Sequence, residues 1–298
     1  MQVNNKYIRF DWAVKRMLRD KANFAVLEGL VTVLLGEKIT ITEILESEGN
    51  QTTFTDKFNR VDIKAKNSSD EIIIVEVQLT RQLYYLQRIL YGVSKAITEH
   101  IQVGQKYDQV KKVYSINIVY FDLGKGTDYL YHGKTTFTGV HTGDHLQVST
   151  READELKIAV PDDIFPEYYI IRINEFNDVA TTPLEEWIDY LKNNRISDTT
   201  TAPGLREARE RLLYLTMNDQ ERHDYDAHID AIMVENDAID TAHNEGRDEG
   251  IAIGKELGRA EGEKNASIKI AAELKRQGIP IAAIAASTGL STEDIEKL

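Results

Sequence analysis

The segment Ile72-Ile73-Ile74-Val75-Glu76-Val77-Gln78-Leu79 sets one acid and one amide inside an otherwise apolar run. With the strand period of two, Ile73, Val75, Val77 and Leu79 share one face, and Ile72, Ile74, Glu76 and Gln78 share the other. An ionised glutamate in such a strand is costly unless it is paired, hydrogen-bonded or bound to a cation. Upstream, Val61-Asp62-Ile63 carries a second acid in a second apolar segment, and Asn67-Ser68-Ser69-Asp70 between them is a turn cluster. The pattern predicts a hairpin of residues 61–65 with 72–79. With the strands in register, Asp62, Glu76 and Gln78 converge. Two readings fit these residues. In one, the carboxylates hold a hard cation such as Mg²⁺, leaving positions for water and a phosphate oxygen. In the other, Glu76 pairs with Arg60, Arg81 or Arg88, and Asp62 ends a turn.

Helices and strands extend outward from this pair. Residues 10–35 read as helix, with Phe10, Val14, Met17 and Leu18 at helical spacing, a second run from Phe24 to Leu35, and Gly36 as a stop. Lys38 to Ile44 is strand-like. Residues 81–103 return to helix, with Leu83, Leu86, Leu90 and Val93 predicted on one side. Val113 to Phe121 is a continuous apolar run, expected to be a strand buried on both faces. Further strands are expected near 128–137, 145–149, 156–160 and 168–173, then helices from a capping box at Thr182-Pro183-Leu184-Glu185, at 203–217 and at 219–243. The order predicts a mixed α/β core over 1–180, a helical extension over 181–244 and a helical terminal part over 245–298.

That terminal part carries Gly246, Gly250, Gly254, Gly258 and Gly262, every fourth residue. In a helix they form one ridge without side chains. Each costs about 1 kcal/mol of helix stability relative to alanine, so the repeat points to close backbone packing between copies of the chain; the alternative is a hinge-like linker. A small helical unit follows, with stops at Gly278 and Gly289 and a cap at Ser291. It has the outline of a helix-turn-helix, but its last helix, Glu293-Asp294-Ile295-Glu296, would meet phosphates with negative charge, which favours a packing role.

Composition narrows the classes. The 298 residues carry a net charge of −13, distributed unevenly. Residues 1–121 hold 17 Lys+Arg against 14 Asp+Glu, and the remainder 19 against 35, so only the N-terminal part is suited to meet phosphate. Without cysteine there are no disulfides and no thiolate chemistry. The absence of a long apolar run and of a secretory pattern at the start gives a cytoplasmic expectation with no membrane contact. His141 and His145 have metal-like spacing only on a helix, whereas Gly139, Thr142 and Gly143 predict a loop. Gly124-Lys125-Gly126-Thr127 lacks the full phosphate-loop pattern and reads as a turn. Tyr84, Tyr85 and Tyr91 read as core packing before base stacking.

Asp62 followed fourteen residues later by Glu76-Val77-Gln78 resembles the PD-(D/E)XK nuclease signature, with glutamine in the usual lysine position. The wider chain resembles the Rpn-type recombination-promoting nucleases, also described as PD-(D/E)XK family transposases. The residues carrying this are Asp11 and Lys15, Lys57-Phe58-Asn59-Arg60-Val61-Asp62-Ile63, Glu76-Val77-Gln78, Arg88 with Tyr91, Gly104 with Tyr107, Trp187, the glycine repeat and Thr288-Gly289-Leu290-Ser291. The resemblance implies a restriction-endonuclease-like mixed sheet flanked by helices, with an all-helical C-terminal appendage. It implies a Mg²⁺- or Mn²⁺-dependent DNA endonuclease, oligomeric through its C-terminal helices and possessing a role in recombination. Asp62 and Glu76 would be metal ligands, with the Val77 carbonyl completing the set. Gln78 would orient water or contact phosphate, although it supplies no positive charge. Arg60 and Arg88 would hold phosphate or neutralise the acids, and Glu48 would be a further ligand through water. Asp11 and Lys15, at i,i+4, read as a local pair. The rival reading is a non-catalytic interaction protein on a nuclease-like scaffold.

Overall fold

The computed structural model describes residues 7–45, 61–101, 106–149 and 163–298. Glu48, Arg60, Gly104 and the strand expected at 156–160 lie outside the described residues. Two compact units divide the chain, Met1–His223 and Asp224–Leu298.

The first unit is built on a six-stranded mixed sheet in the order β1-β2-β3-β4-β6-β5. Its strands are β1 (Ile41–Leu45), β2 (Ile63–Asn67), β3 (Ile72–Gln78), β4 (Val113–Val119), β5 (Leu130–Gly133) and β6 (Glu167–Arg172). The expected hairpin forms: β2 and β3 pair antiparallel with Ile63 opposite Val75. Asn67 holds its turn by accepting from the backbone N–H groups of Ser69 and Glu71 through Oδ1, and Asp70 takes the left-handed conformation at φ 68°. β4 runs parallel to both β3 and β6, and all seven of its residues are buried as expected, the two polar ones among them, Ser115 and Asn117, bonded to each other. Burial of each large aliphatic side chain there contributes roughly 2 kcal/mol of gross transfer free energy.

A parallel pair needs a crossover, and α3 (Tyr85–Glu99) supplies it between β3 and β4. Its inward face differs from the predicted one. Tyr85, Ile89, Gly92, Val93 and Ala96 are buried, whereas Leu83, Leu86 and Leu90 are exposed. The first two turns carry two apolar pairs at helical spacing, Leu86 with Leu90 and Tyr85 with Ile89, so periodicity alone does not fix the rotation. The sheet does: Val93 and Ala96 pack with Ile72, Ile74 and Val113, while Tyr85 and Ile89 pack with Val119. Tyr84 is exposed and Tyr85 is core, so the tyrosines divide between the two readings.

The N-terminal run is two α-helices, α1 (Phe10–Arg16) and α2 (Phe24–Leu35), the second ended by Gly36 at φ 74°. α4 (Pro183–Asn193) opens with the predicted capping box: Thr182 Oγ1 accepts from the Glu185 N–H, and Glu185 accepts from the Thr182 N–H. Trp187 and Tyr190 of α4 make edge contacts with Phe10 of α1, and the Tyr190 hydroxyl donates to the Ile8 carbonyl at 2.7 Å. The helix expected at 203–217 is shorter: α5 (Leu205–Arg211), then a 3-10 turn over Tyr214–Thr216. The strand expected at 145–149 does not form; His145 makes an isolated bridge to Thr138, in a turn where Gly143 has φ 74°. This confirms the loop reading of His141 and His145. Gly124 and Gly126, both at positive φ, form the expected turn after β4.

α6 (Asp219–Arg276) starts within the first unit and, over the second, continues as one helix through all five repeated glycines. Gly278 at φ 81° stops it, α7 (Ile281–Thr288) follows, Gly289 at φ 71° turns the chain, and Ser291 caps α8 (Thr292–Glu296) by accepting from the Asp294 N–H. Ala271, Ile284 and Ile295 form a small core between these helices. Among the described residues no helix is long and apolar enough to cross a membrane.

Candidate active site

The site lies where the β2–β3 hairpin meets α1 and α3, at the C-terminal end of β3. In open α/β sheets this end of the strands is where ligands bind. Asp62 directly precedes β2 and continues the register that sets Ile63 opposite Val75, which brings it beside Glu76 and Val77. Asp62 Oδ2 accepts from the Val77 N–H at 2.7 Å. In a strand the N–H and C=O of one residue leave by the same edge, so the Val77 carbonyl faces the Asp62 side as well.

Glu76 is 4% exposed, inside the sheet face covered by α3. Burial pushes its carboxyl up to about 7; the Arg88 guanidinium pulls it down and the Asp62 charge pushes it further up. Asp62 is likewise raised, chiefly by burial, while the Val77 N–H, Lys15 and Arg88 oppose the rise and Asp11 adds to it. Arg88 Nη2 lies 2.6 Å from Glu76 Oε1, and Arg88 Nη1 donates to Gln82 at 3.0 Å. Buried Glu76 Oε1 has this ion pair but, among the described residues, no hydrogen bond of regular geometry. The buried Tyr85 hydroxyl likewise has no such bond, with Glu76, Arg88 and Asp62 all acting on it electrostatically. The donor set of two carboxylates and a strand carbonyl suits a hard divalent cation. Among the described residues no group of three or more His, Asp or Glu side chains gathers around a point, so the side-chain ligands in view are two.

Gln78, the third predicted member, follows Glu76 on the same face, but its amide donates to the Thr80 carbonyl at 3.1 Å. The local pair expected of Asp11 and Lys15 gives way to another. Asp11 is buried and Arg9 Nε donates to it at 2.8 Å, whereas Lys15 is exposed and acts on Asp62. Arg19, just past α1, donates to the Asp62 carbonyl at 2.9 Å. Lys15, Arg19 and Tyr85 are the neighbours of the acids that sequence reading missed. Asp11 and Lys15 stand at i,i+4 within α1, but Arg19 lies in the turn beyond it, so no spacing in the sequence announced its contact.

A six-stranded mixed sheet with flanking helices and this hairpin is a fold of the PD-(D/E)XK nuclease kind. The chain belongs to the PD-(D/E)XK nuclease family transposases, whose family description matches residues 8–242. No match is found among curated proteins or solved structures. The family places the chain among nuclease-type proteins, a class that generally uses divalent metals and binds DNA.

Proposed function

We propose that the chain is a metal-dependent DNA endonuclease that hydrolyses phosphodiester bonds at the Asp62–Glu76 pair, with Mg²⁺ or Mn²⁺ as its cation. The observation carrying this reading is the placement of two carboxylates side by side, Glu76 buried and Asp62 half-buried, both raised chiefly by burial and with Asp62 Oδ2 held on the Val77 N–H. A divalent cation held there would supply Lewis-acid activation of the phosphate and of the attacking water. The residues do the rest: Asp62 and Glu76 hold charge at a fixed spacing, the Val77 N–H fixes the Asp62 carboxylate, and α3 excludes bulk water from Glu76. Oligomerisation through the glycine ridge of α6 would set two sites on one duplex, and the resulting breaks would feed recombination.

Cleavage of supercoiled plasmid with added Mg²⁺ or Mn²⁺ tests this. Wild type is expected to nick it, and Asp62→Ala and Glu76→Ala to lose at least 100-fold in rate. One observation favours the rival reading of a non-catalytic interaction protein: Arg88 already pairs with Glu76 at 2.6 Å. A folded wild type that neither cleaves nor binds divalent cations in calorimetry decides for the rival.

A further inference from the structure

In a chain of net charge −13, residues 15–21 stand out: Lys15-Arg16-Met17-Leu18-Arg19-Asp20-Lys21 holds four cations against one acid. All four cations are exposed. Lys15 and Arg16 close α1, and Arg19 and Lys21 follow in the turn that leads to α2. That turn is fastened from three directions. Asp20 Oδ1 accepts from the Ala22 N–H at 2.9 Å and caps the 3-10 turn Lys21–Asn23, which commits the one acid to the backbone. Asn23 Nδ2 donates back to the Met17 carbonyl at 2.9 Å, and Arg211 Nη1 of α5 donates to Asn23 Oδ1 at 3.1 Å. On the side of the acids, Arg19 Nη2 donates to the Asp62 carbonyl at 2.9 Å. The basic turn is therefore bonded to the residue that carries the first acid of the site. Arg16 lies over the Trp12 ring at 5.1 Å, and among the described residues neither Arg16 nor Lys21 forms an ion pair.

We propose that this turn is the DNA-backbone rim of the site: Arg16 and Lys21 contact phosphates flanking the one held at Asp62 and Glu76, and Arg19 fixes the turn beside the acids. The inference rests on the nuclease reading above. Two acids and a cation act on a single phosphate, whereas affinity for a duplex comes from several phosphate contacts made by Lys and Arg. Because residues 122–298 hold 19 Lys+Arg against 35 Asp+Glu, the surface that meets the duplex has to be local. A turn already fixed by side-chain bonds presents its charges without the ordering cost that a loose loop would incur on binding. Contacts of this kind position a duplex and carry no sequence information.

The test uses the full chain and a short labelled DNA duplex in Ca²⁺, with binding read by fluorescence anisotropy over a salt series and plasmid nicking in Mg²⁺ read alongside. The double variant Arg16→Gln with Lys21→Gln is expected to weaken binding at least about tenfold and to flatten the log K against log salt slope by about 1.8, the loss of two phosphate contacts. Arg16→Lys with Lys21→Arg should keep the slope. A control pair in α6, Lys255→Gln with Lys264→Gln, removes the same charge and should leave binding and slope as in wild type. Divalent-cation affinity without DNA should be the same in all of these. Arg16 and Lys21 are exposed, so the fold survives their substitution. An unchanged slope in the Arg16 and Lys21 double variant overturns the rim, while Asp62→Ala still reports on the acids. An equal loss in the α6 control pair overturns it too, since net charge and not this turn would then set the affinity. The slope is read from binding in Ca²⁺, so it decides the rim even where nicking fails. A wild type that neither binds nor nicks removes the nuclease reading and the rim together.

Discussion

Glu76 holds its proton to a higher pH when folded than a glutamate in the unfolded chain, since burial raises it from 4.5 to about 7. Between those values the unfolded chain has released a proton that the folded protein keeps. Stability of the metal-free protein therefore falls as pH rises through that window and levels off above it. Urea midpoints at pH 5 and pH 8 should show the drop, and Glu76→Gln should reduce it; a midpoint that rises with pH in wild type contradicts the burial argument. Divalent-cation affinity runs the other way, growing over the same interval because the ligand must lose its proton first. At this scale the sequence is informative about the acids and less so about their neighbours. A glutamate in an apolar strand is conspicuous because it violates the pattern around it. Arg19 violates nothing, being an exposed arginine in a charged turn, and only its bond to the Asp62 carbonyl gives it meaning.

Elements show the same division. β4 is legible because its β-branched and aromatic residues, interrupted only by Ser115 and Asn117, suit a strand covered on both faces. The α4 start is legible because capping is local chemistry. The rotation of α3 is not, since two apolar stripes compete and the outcome depends on the sheet beneath and on the Arg88–Glu76 contact at its flank. Gly29 is another hidden element-level feature. In mid-helix it reads as a mere weakness, yet a Cβ there would lie 2.3 Å from the Pro203 carbonyl oxygen and 2.4 Å from the Gly204 Cα. The approach of α2 to the turn before α5 depends on it. Gly29→Ala should cost about 1–3 kcal/mol through overpacking, measured by urea denaturation; a neutral result would mean that this turn yields without penalty.

For the whole molecule, the glycine repeat is the main open feature. A Cβ added at Gly246, Gly250, Gly254, Gly258 or Gly262 meets nothing within 4 Å among the described residues, so no packing seen there requires glycine. Alanine at Gly254 and Gly258 should raise intrinsic helix stability by about 1 kcal/mol each. If the ridge pairs two copies, the same double substitution should weaken association in sedimentation equilibrium while helicity by circular dichroism rises. A wild type that is monomeric at tens of micromolar, with the variant only more helical, removes pairing as the reason for the repeat. The uneven charge of the sequence also belongs to this scale, because the acids and the basic residues 15–21 all fall in the part that carries more Lys+Arg than Asp+Glu.

The burial of β4 between two parallel neighbours has a consequence for motion. Backbone groups laddered on both edges and sealed on both faces open only when the whole sheet does, so they exchange their amide hydrogens on the slowest timescale the protein has. Glu76 is paired in register with Asn117 of that strand, whereas Arg19 follows a helix of 7 residues. The two sides of the site thus differ in compliance. The carboxylates keep their spacing through ordinary fluctuations, and the short helix beside them is the side of the site that yields.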